Sequence, residues 1–169
     1  TAFCAGRNAN GQLGRGNNTP SPTLGPLASA GAPWNGLLWK EIATGEEHNC
    51  AVAGDGSLWC WGLNSFGQLG QAQNPSIGTL VQVLPMDATT WTKVAAGQFH
   101  TCAAKAGGAL YCWGRDSDGQ LGSGMPNDLK NAPAKVTGNF SGNGGAGVNH
   151  TCWIKADGTL WCCGKNSNG

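Results

Sequence analysis

The chain has 169 residues, enough for one ordinary core, a net charge of +1 and only 11% charged residues. Its lysines and arginines form no run, which gives little support to a nucleic-acid or anionic-membrane surface. No apolar stretch approaches the roughly 18 residues of a membrane span, and 29 glycines are too many for helices, where each costs about 1 kcal/mol.

In chain order, the sequence divides into four units. Residues 1–38 open with AFCAGRNANGQLG, from Ala2 to Gly14, and continue into a Pro/Gly/Ser/Ala loop over 15–38. The unit 39–90 begins WKEIATGEEHNC, where Ile42 and Ala43 leading into a glycine read as a short strand. It runs on as HNCAVAGDGSLWCWGLNSFGQLG, from His48 to Gly70, and ends in a loop over 71–90. The unit 91–138 repeats this as WTKVAAGQFHTC and HTCAAKAGGALYCWGRDSDGQLG, then a loop over 123–138. The unit 139–169 carries SGNGGAGVNHTC and HTCWIKADGTLWCCGKNSNG. It lacks the Trp and the β-branched residue of its sisters, so its first strand is expected to be the least regular. The loops carry Pro75, Pro85, Pro126 and Pro133 and differ in length, as surface connections do.

The glycine after the second cysteine recurs as Gly6, Gly62, Gly114 and Gly164, at intervals of 56, 52 and 50 residues. A period of that length predicts a propeller or another repeat array. The hairpin geometry follows by counting. A turn centred on Asp55, within Gly54-Asp55-Gly56, sets Val52 opposite Leu58 and Cys50 opposite Cys60. The same rule sets Cys102 opposite Cys112 and Cys152 opposite Cys162. Directly opposed residues have Cβ atoms about 4.5–5.5 Å apart, near disulfide reach. Each bridge closes a short loop and adds roughly 2–3 kcal/mol in the chain-entropy model. Cys4 matches the second member of a pair, and Cys163 stands where the sisters have Trp61 and Trp113. These two are expected to be unpaired or to pair between segments.

Three sequons, at Asn17, Asn139 and Asn149, agree with an oxidising secretory route, and N-glycans are expected there. His48, His100 and His150 each precede a cysteine by two residues and share its sheet face. Zinc binding by such a set competes with packing of the histidine against a neighbouring loop, and the absence of C-x-x-C spacing favours packing. Gly67, Gly70, Gly119 and Gly122 lack the strand–loop–helix context of a phosphate cradle and are expected to allow close backbone approach between units. Gln12, Gln68 and Gln120 are expected to bond backbone between strands. Trp34 and Trp153 fall off the repeat and are candidate exposed contacts. Carboxylates are few, and Asp55 and Asp157 are accounted for by turns, so no catalytic residue, cofactor or metal ligand is assigned.

The string G-x-x-H-x-C, then D-G, then W-C-W-G-x-N-x-x-G-Q-L-G resembles the regulator of chromosome condensation repeat. It spans Gly45–Gly70 and Gly97–Gly122 and recurs in part over Gly147–Gly169. The resemblance implies four-stranded antiparallel blades of an all-β propeller, usually seven to a ring, of which this chain holds about three. The paired cysteines look like the family's secreted branch. Three blades do not close a ring, so further copies or segments, or another protein partner, are expected to complete it. The expected role is a non-enzymatic extracellular or cell-surface glycoprotein segment, a scaffold or protein-binding module and potential building block of an extracellular assembly. The resemblance also implies two alternatives: nucleotide exchange on a small GTPase, and inhibition of a secreted enzyme. An ultraviolet-sensing variant of the family carries a Gly-Trp-Arg-His-Thr string, in whose place this chain has GEEHN, GQFHT and GVNHT.

Overall fold

The structure is a computed structural model that describes residues 2–28, 32–71, 76–83, 90–125 and 127–168. Among these residues, β-strands form four antiparallel sheets and no helix occurs. β1 (Phe3–Gly6) and β2 (Ser21–Pro26) make a two-stranded sheet. β3 (Trp39–Thr44), β4 (His48–Ala53), β5 (Leu58–Gly62) and β6 (Ile77–Val83) make a four-stranded meander. β7 (Trp91–Ala96), β8 (His100–Lys105), β9 (Leu110–Gly114) and β10 (Lys130–Lys135) make a second one. β11 (Phe140–Ala146), β12 (His150–Lys155) and β13 (Leu160–Gly164) make a three-stranded sheet. The architecture is all-β, made of the blades of part of a propeller.

The central hairpin of each sheet is set by its turn. Asp55 Oδ1 accepts bonds from the Ser57 backbone N–H (2.9 Å) and hydroxyl (2.7 Å), which hold its carboxyl below the usual range. Asp157 does the same with Thr159. The resulting register places Val52 opposite Leu58 and Cys50 opposite Cys60. Disulfides join Cys50–Cys60, Cys102–Cys112 and Cys152–Cys162, each with Cα atoms 4.1 Å apart.

Two features differ from the sequence reading. The stretches read as loops hold the fourth strand of each blade: β2, β6 and β10. SPTLGP and KNAPAK have no apolar alternation and contain proline, which removes a ladder donor and is tolerated at a sheet edge. Pro133 is buried within β10, whereas Pro75, Pro85 and Pro126 lie outside the described residues. The third copy also keeps its leading aromatic. Phe140 pairs with Lys155 as Trp91 pairs with Lys105. Four positions separate Phe140 from Gly144, against three from Trp91 to Val94, and the additional residue is taken up in an irregular register. A comparison at fixed offset therefore misses the equivalence.

The core lies in the seams between sheets. β7 packs on β3 and β4, and β11 packs on β7 and β8. Leu27, Ala51, Trp59, Trp61 and Leu80 fill the first seam. Val52, Leu58, Leu69, Val83, Trp91, Tyr111 and Trp113 fill the second. Leu110, Leu121, Phe140 and Trp153 fill the third. β4, β5, β8 and β9 are buried along their whole length because each is covered on both faces.

Candidate functional site

Each seam is wired by the same polar residues. Asn64 Oδ1 accepts from the Leu69 N–H, and Gln68 Oε1 accepts from the Phe66 N–H, both at 2.9 Å. These bonds close the loop on itself and leave the Gln68 carbonyl aimed at the next sheet. There it accepts from Trp113 Nε1 (2.9 Å) and Thr101 Oγ1 (2.8 Å). In the first seam the Gln12 carbonyl accepts from Trp61 Nε1 (2.8 Å) and Asn49 Nδ2 (2.7 Å). The glutamine side chains thus bond within their own loop, and their carbonyls bridge the sheets.

Thr101 gives its proton to Gln68, so its oxygen accepts from His48 Nε2 at 2.9 Å, which places the ring proton on Nε2. His100 Nε2 meets Thr151 Oγ1 at 2.8 Å across the third seam. Burial, with the neighbouring His100 adding to it, pushes His48 down to about 3. Burial and His150 push His100 to about 4. These rings are neutral links between blades. Among the described residues, no cluster of His, Cys, Asp or Glu is arranged to hold a metal ion.

The repeated glycines divide. A Cβ on Gly67 would stand 2.7 Å from Asn131 Cα of the next sheet, and one on Gly70 would stand 3.1 Å from Trp113 Nε1. Gly122 faces Cys163 Sγ in the third seam. Gly119 meets nothing within 4 Å, and its φ of +78° accounts for the residue type there.

At one end of the sheets, the turn before each histidine meets the segment after the next glycine, and here the copies differ. Across the first seam Arg7 pairs with Glu47 at 2.8 Å, and Asn10 donates to Glu47 at 2.6 Å. Across the second, Phe66 and Phe99 pack with centroids 5.0 Å apart, under the Arg115 guanidinium at 5.4 and 5.8 Å. Glu46 also accepts from Gln98 on this side. All three members of the aromatic cluster are half-buried. A polar trio beside an aromatic–cation trio is a surface suited to recognising another protein, since aromatic residues and arginine dominate such contacts. Sequence reading passed over these residues. The available signal was that positions 47, 99 and 149 differ within otherwise matching copies.

The other sequence candidates are dispersed. Cys4 and Cys163 are half-buried and unbridged, and burial pushes both thiols up. Asn17 and Asn139 are exposed, and Asn149 is half-buried. Of the two tryptophans singled out as candidate exposed contacts, Trp153 is buried and Trp34 is half-buried. Trp153 is 2% exposed, and half-buried Trp34 packs edge-on against Trp59 and donates to the Ala28 carbonyl. The exposed tryptophan is Trp161, at 55%.

Comparison with known families finds the regulator of chromosome condensation (RCC1) repeat at residues 39–68, 91–120 and 145–169 with one model, and at 55–104 and 107–154 with another. The ultraviolet-B receptor UVR8 of Arabidopsis thaliana is 35% identical over 70% of this chain and 26% of its own length. The probable E3 ubiquitin-protein ligase HERC6 of Homo sapiens is 30% identical over 78% of this chain and 12% of its own. The chain therefore spans 26% and 12% of the length of these two relatives. Among solved structures, human WBSCR16 superposes with a TM-score of 0.82 at 20% identity, covering 99% of this chain and 44% of that one. Prp20p of Saccharomyces cerevisiae superposes at 0.73 with 27% identity, over 96% and 40%.

Proposed function

This chain belongs to the regulator of chromosome condensation repeat family, and we propose that it is a non-enzymatic, protein-binding segment of an extracellular or cell-surface propeller. The observation that carries the compartment is the set of three cross-strand disulfides at corresponding positions. Such bonds persist in oxidising compartments and are rare where thiols are kept reduced. The exposed sequons at Asn17 and Asn139 fit the same setting. A binding role is supported by the Phe66–Phe99–Arg115 cluster and by Prp20p, a similar protein with binding properties toward Gsp1p and histones.

The test is direct. In protein taken from its source without reductant, the six paired cysteines should resist alkylation. Removal of N-glycans should shift the mass of a peptide carrying Asn17 or Asn139. Alkylation of all six, with no glycan at either site, would overturn the extracellular reading and favour an exchange-factor-like role inside the cell. For the binding role, Phe99→Ala with Arg115→Ala should abolish partner capture in a chain that still melts cooperatively, with a Tm lowered by loss of the Phe66–Phe99 contact.

A further inference from the structure

Four asparagines are followed by glycine: Asn10, Asn35, Asn143 and Asn168. Asparagine is a thermolabile residue, and a following glycine, with no Cβ in the way, lets its backbone nitrogen swing onto the side-chain carbonyl. Whether it does so depends on what else holds the two groups. Asn10 is pinned. Its Nδ2 donates to Glu47 at 2.6 Å, its own N–H donates to Gln12 Oε1 at 2.9 Å, and buried Gly11 donates its N–H to the Asn8 carbonyl at 3.0 Å. Asn143 lies in β11, where Gly144 pairs with Trp153. Gly144 is so tightly wedged that a Cβ there would stand 2.2 Å from the Trp153 ring and 2.6 Å from the Cys152 carbonyl. Asn168 precedes Gly169, which lies outside the described residues.

Asn35 and Gly36 are exposed in the connection between β2 and β3. Among the described residues, the Asn35 side chain and the Gly36 N–H have no hydrogen-bond partner. Gly36 has a φ of +84°, and a Cβ there would meet nothing within 4 Å, so no neighbour restrains it. The turn around it nevertheless serves the first seam. Asn35 N–H donates to the Ala32 carbonyl at 3.0 Å, and Leu37 N–H donates to the Trp34 carbonyl at 3.2 Å. These bonds seat Trp34 edge-on against Trp59, with centroids 5.5 Å apart, and Leu37 against the same core.

We propose that Asn35 is a site of spontaneous covalent modification that loosens the first seam as the protein ages. The Gly36 nitrogen gives its proton to hydroxide and attacks Asn35 Cγ. The new C–N bond closes a five-membered imide, and the side-chain nitrogen leaves as ammonia. Water then opens the imide. Addition at Cγ restores the original backbone with aspartate at position 35. Addition at the backbone carbonyl leaves the chain running through the side chain, an isoaspartyl link one methylene longer. That methylene falls inside the ring closed by the Leu37–Trp34 bond, so the bond is lost and Trp34 is released from Trp59.

The test is to hold the folded chain at pH 6 and at pH 8 and to follow each Asn–Gly peptide by mass, which rises by the difference between water and ammonia. Labelling with protein isoaspartyl methyltransferase reads the isoaspartyl share. Conversion at Asn35 should be several-fold faster than at Asn10 or Asn143, and faster at pH 8 than at pH 6. In urea with reductant the three rates should converge, because the dipeptide is the same and only the fold separates them. Asn35→Gln should stay unmodified at that position, since the larger ring closes far more slowly. Hydrogen exchange over residues 32–38 should be faster in the aged wild type than in Asn35→Gln aged beside it. Equal rates at the three sites of the folded chain, rates at Asn35 that ignore pH, or unchanged exchange in a fully converted chain would each overturn the proposal.

Discussion

The second and third seams have the same backbone plan and different fillings. In the second, Ala103 leaves room for Trp113, and Trp91 packs edge-on against Tyr111 and tilted against Trp113, with centroids 5.6 and 6.1 Å apart. Lys105 is buried over two of those rings, 4.8 Å from Trp91 and 5.0 Å from Tyr111. In the third, the large residue has moved to the neighbouring strand: Trp153 replaces the alanine and Cys163 replaces the tryptophan. Volume is largely conserved while shape and hydrogen bonding are not, and such exchanges keep a fold at the expense of tight fit. The comparison teaches that the seam, more than the individual sheet, is the unit of stability. A sheet's own ladder is alike in both places, whereas the contents of the seam differ.

The largest way to break the comparison is to empty the better-packed seam. Trp113→Ala removes a fully buried indole and its bond to Gln68, and should cost about 3–5 kcal/mol in urea unfolding. Trp161→Ala removes a ring that is 55% exposed and should cost less than about 1 kcal/mol. Similar costs would mean that seam burial does not set stability.

Acid is the next lever. His48 and His100, pushed to about 3 and about 4, are neutral in the folded chain, while the unfolded chain takes up their protons near the ordinary value of 6.5. Their contribution is therefore complete above pH 6.5 and is lost as pH falls toward 4 and then 3. Each gives a slope approaching 1.4 kcal/mol per pH unit within that window. His100→Gln should flatten the fall in Tm between pH 6.5 and 4.5, and an unchanged profile would detach the relay from acid sensitivity.

The disulfides sharpen the contrast without any substitution. Cys50 and Cys60 are fully buried, whereas Cys162 is exposed and Cys152 half-buried. Exchange requires access to sulfur, so graded reductant followed by peptide mapping should open Cys152–Cys162 first. Loss of that bond should cost about 2–3 kcal/mol, in keeping with its short loop.

How much of this was legible in the sequence depended on whether a signal repeats. Asp55 and the Cys50/Cys60 spacing fixed the hairpin register, because a tight turn leaves one pairing and side chains alternate strictly. β2 and β10 were missed because edge strands need neither apolar alternation nor a complete set of donors. Trp153 looked off-pattern and exposed. It is buried because Gly144, across the strand pair, gives up the volume it needs, and that exchange spans two strands. The Phe66–Phe99–Arg115 cluster was hidden because its members lie 33 and 16 residues apart and meet only when two sheets pack.

The smallest expected effect concerns the loops that feed the three seams. Asn8 and Asn64 cap their loops through Oδ1, and the third loop has Asp116 instead, which accepts from the Leu121 N–H at 2.9 Å. Asp116 is buried, and burial pushes its carboxyl above the usual range; the Leu121 and Ser123 bonds offset part of this. A carboxyl raised in the folded state holds its proton more tightly there, so its ionisation takes stability away as pH rises through that range. Asp116→Asn keeps the acceptor for Leu121 and removes the buried charge. The Ser123 hydroxyl, now donating to Asp116 Oδ2 at 3.2 Å and also 3.0 Å from the Met125 carbonyl, can turn to accept from the new amide. The variant should melt slightly higher than the wild type at pH 7, with the difference shrinking toward pH 4. A variant that melts lower at pH 7 would mean that the charge itself, through Lys130, holds the loop.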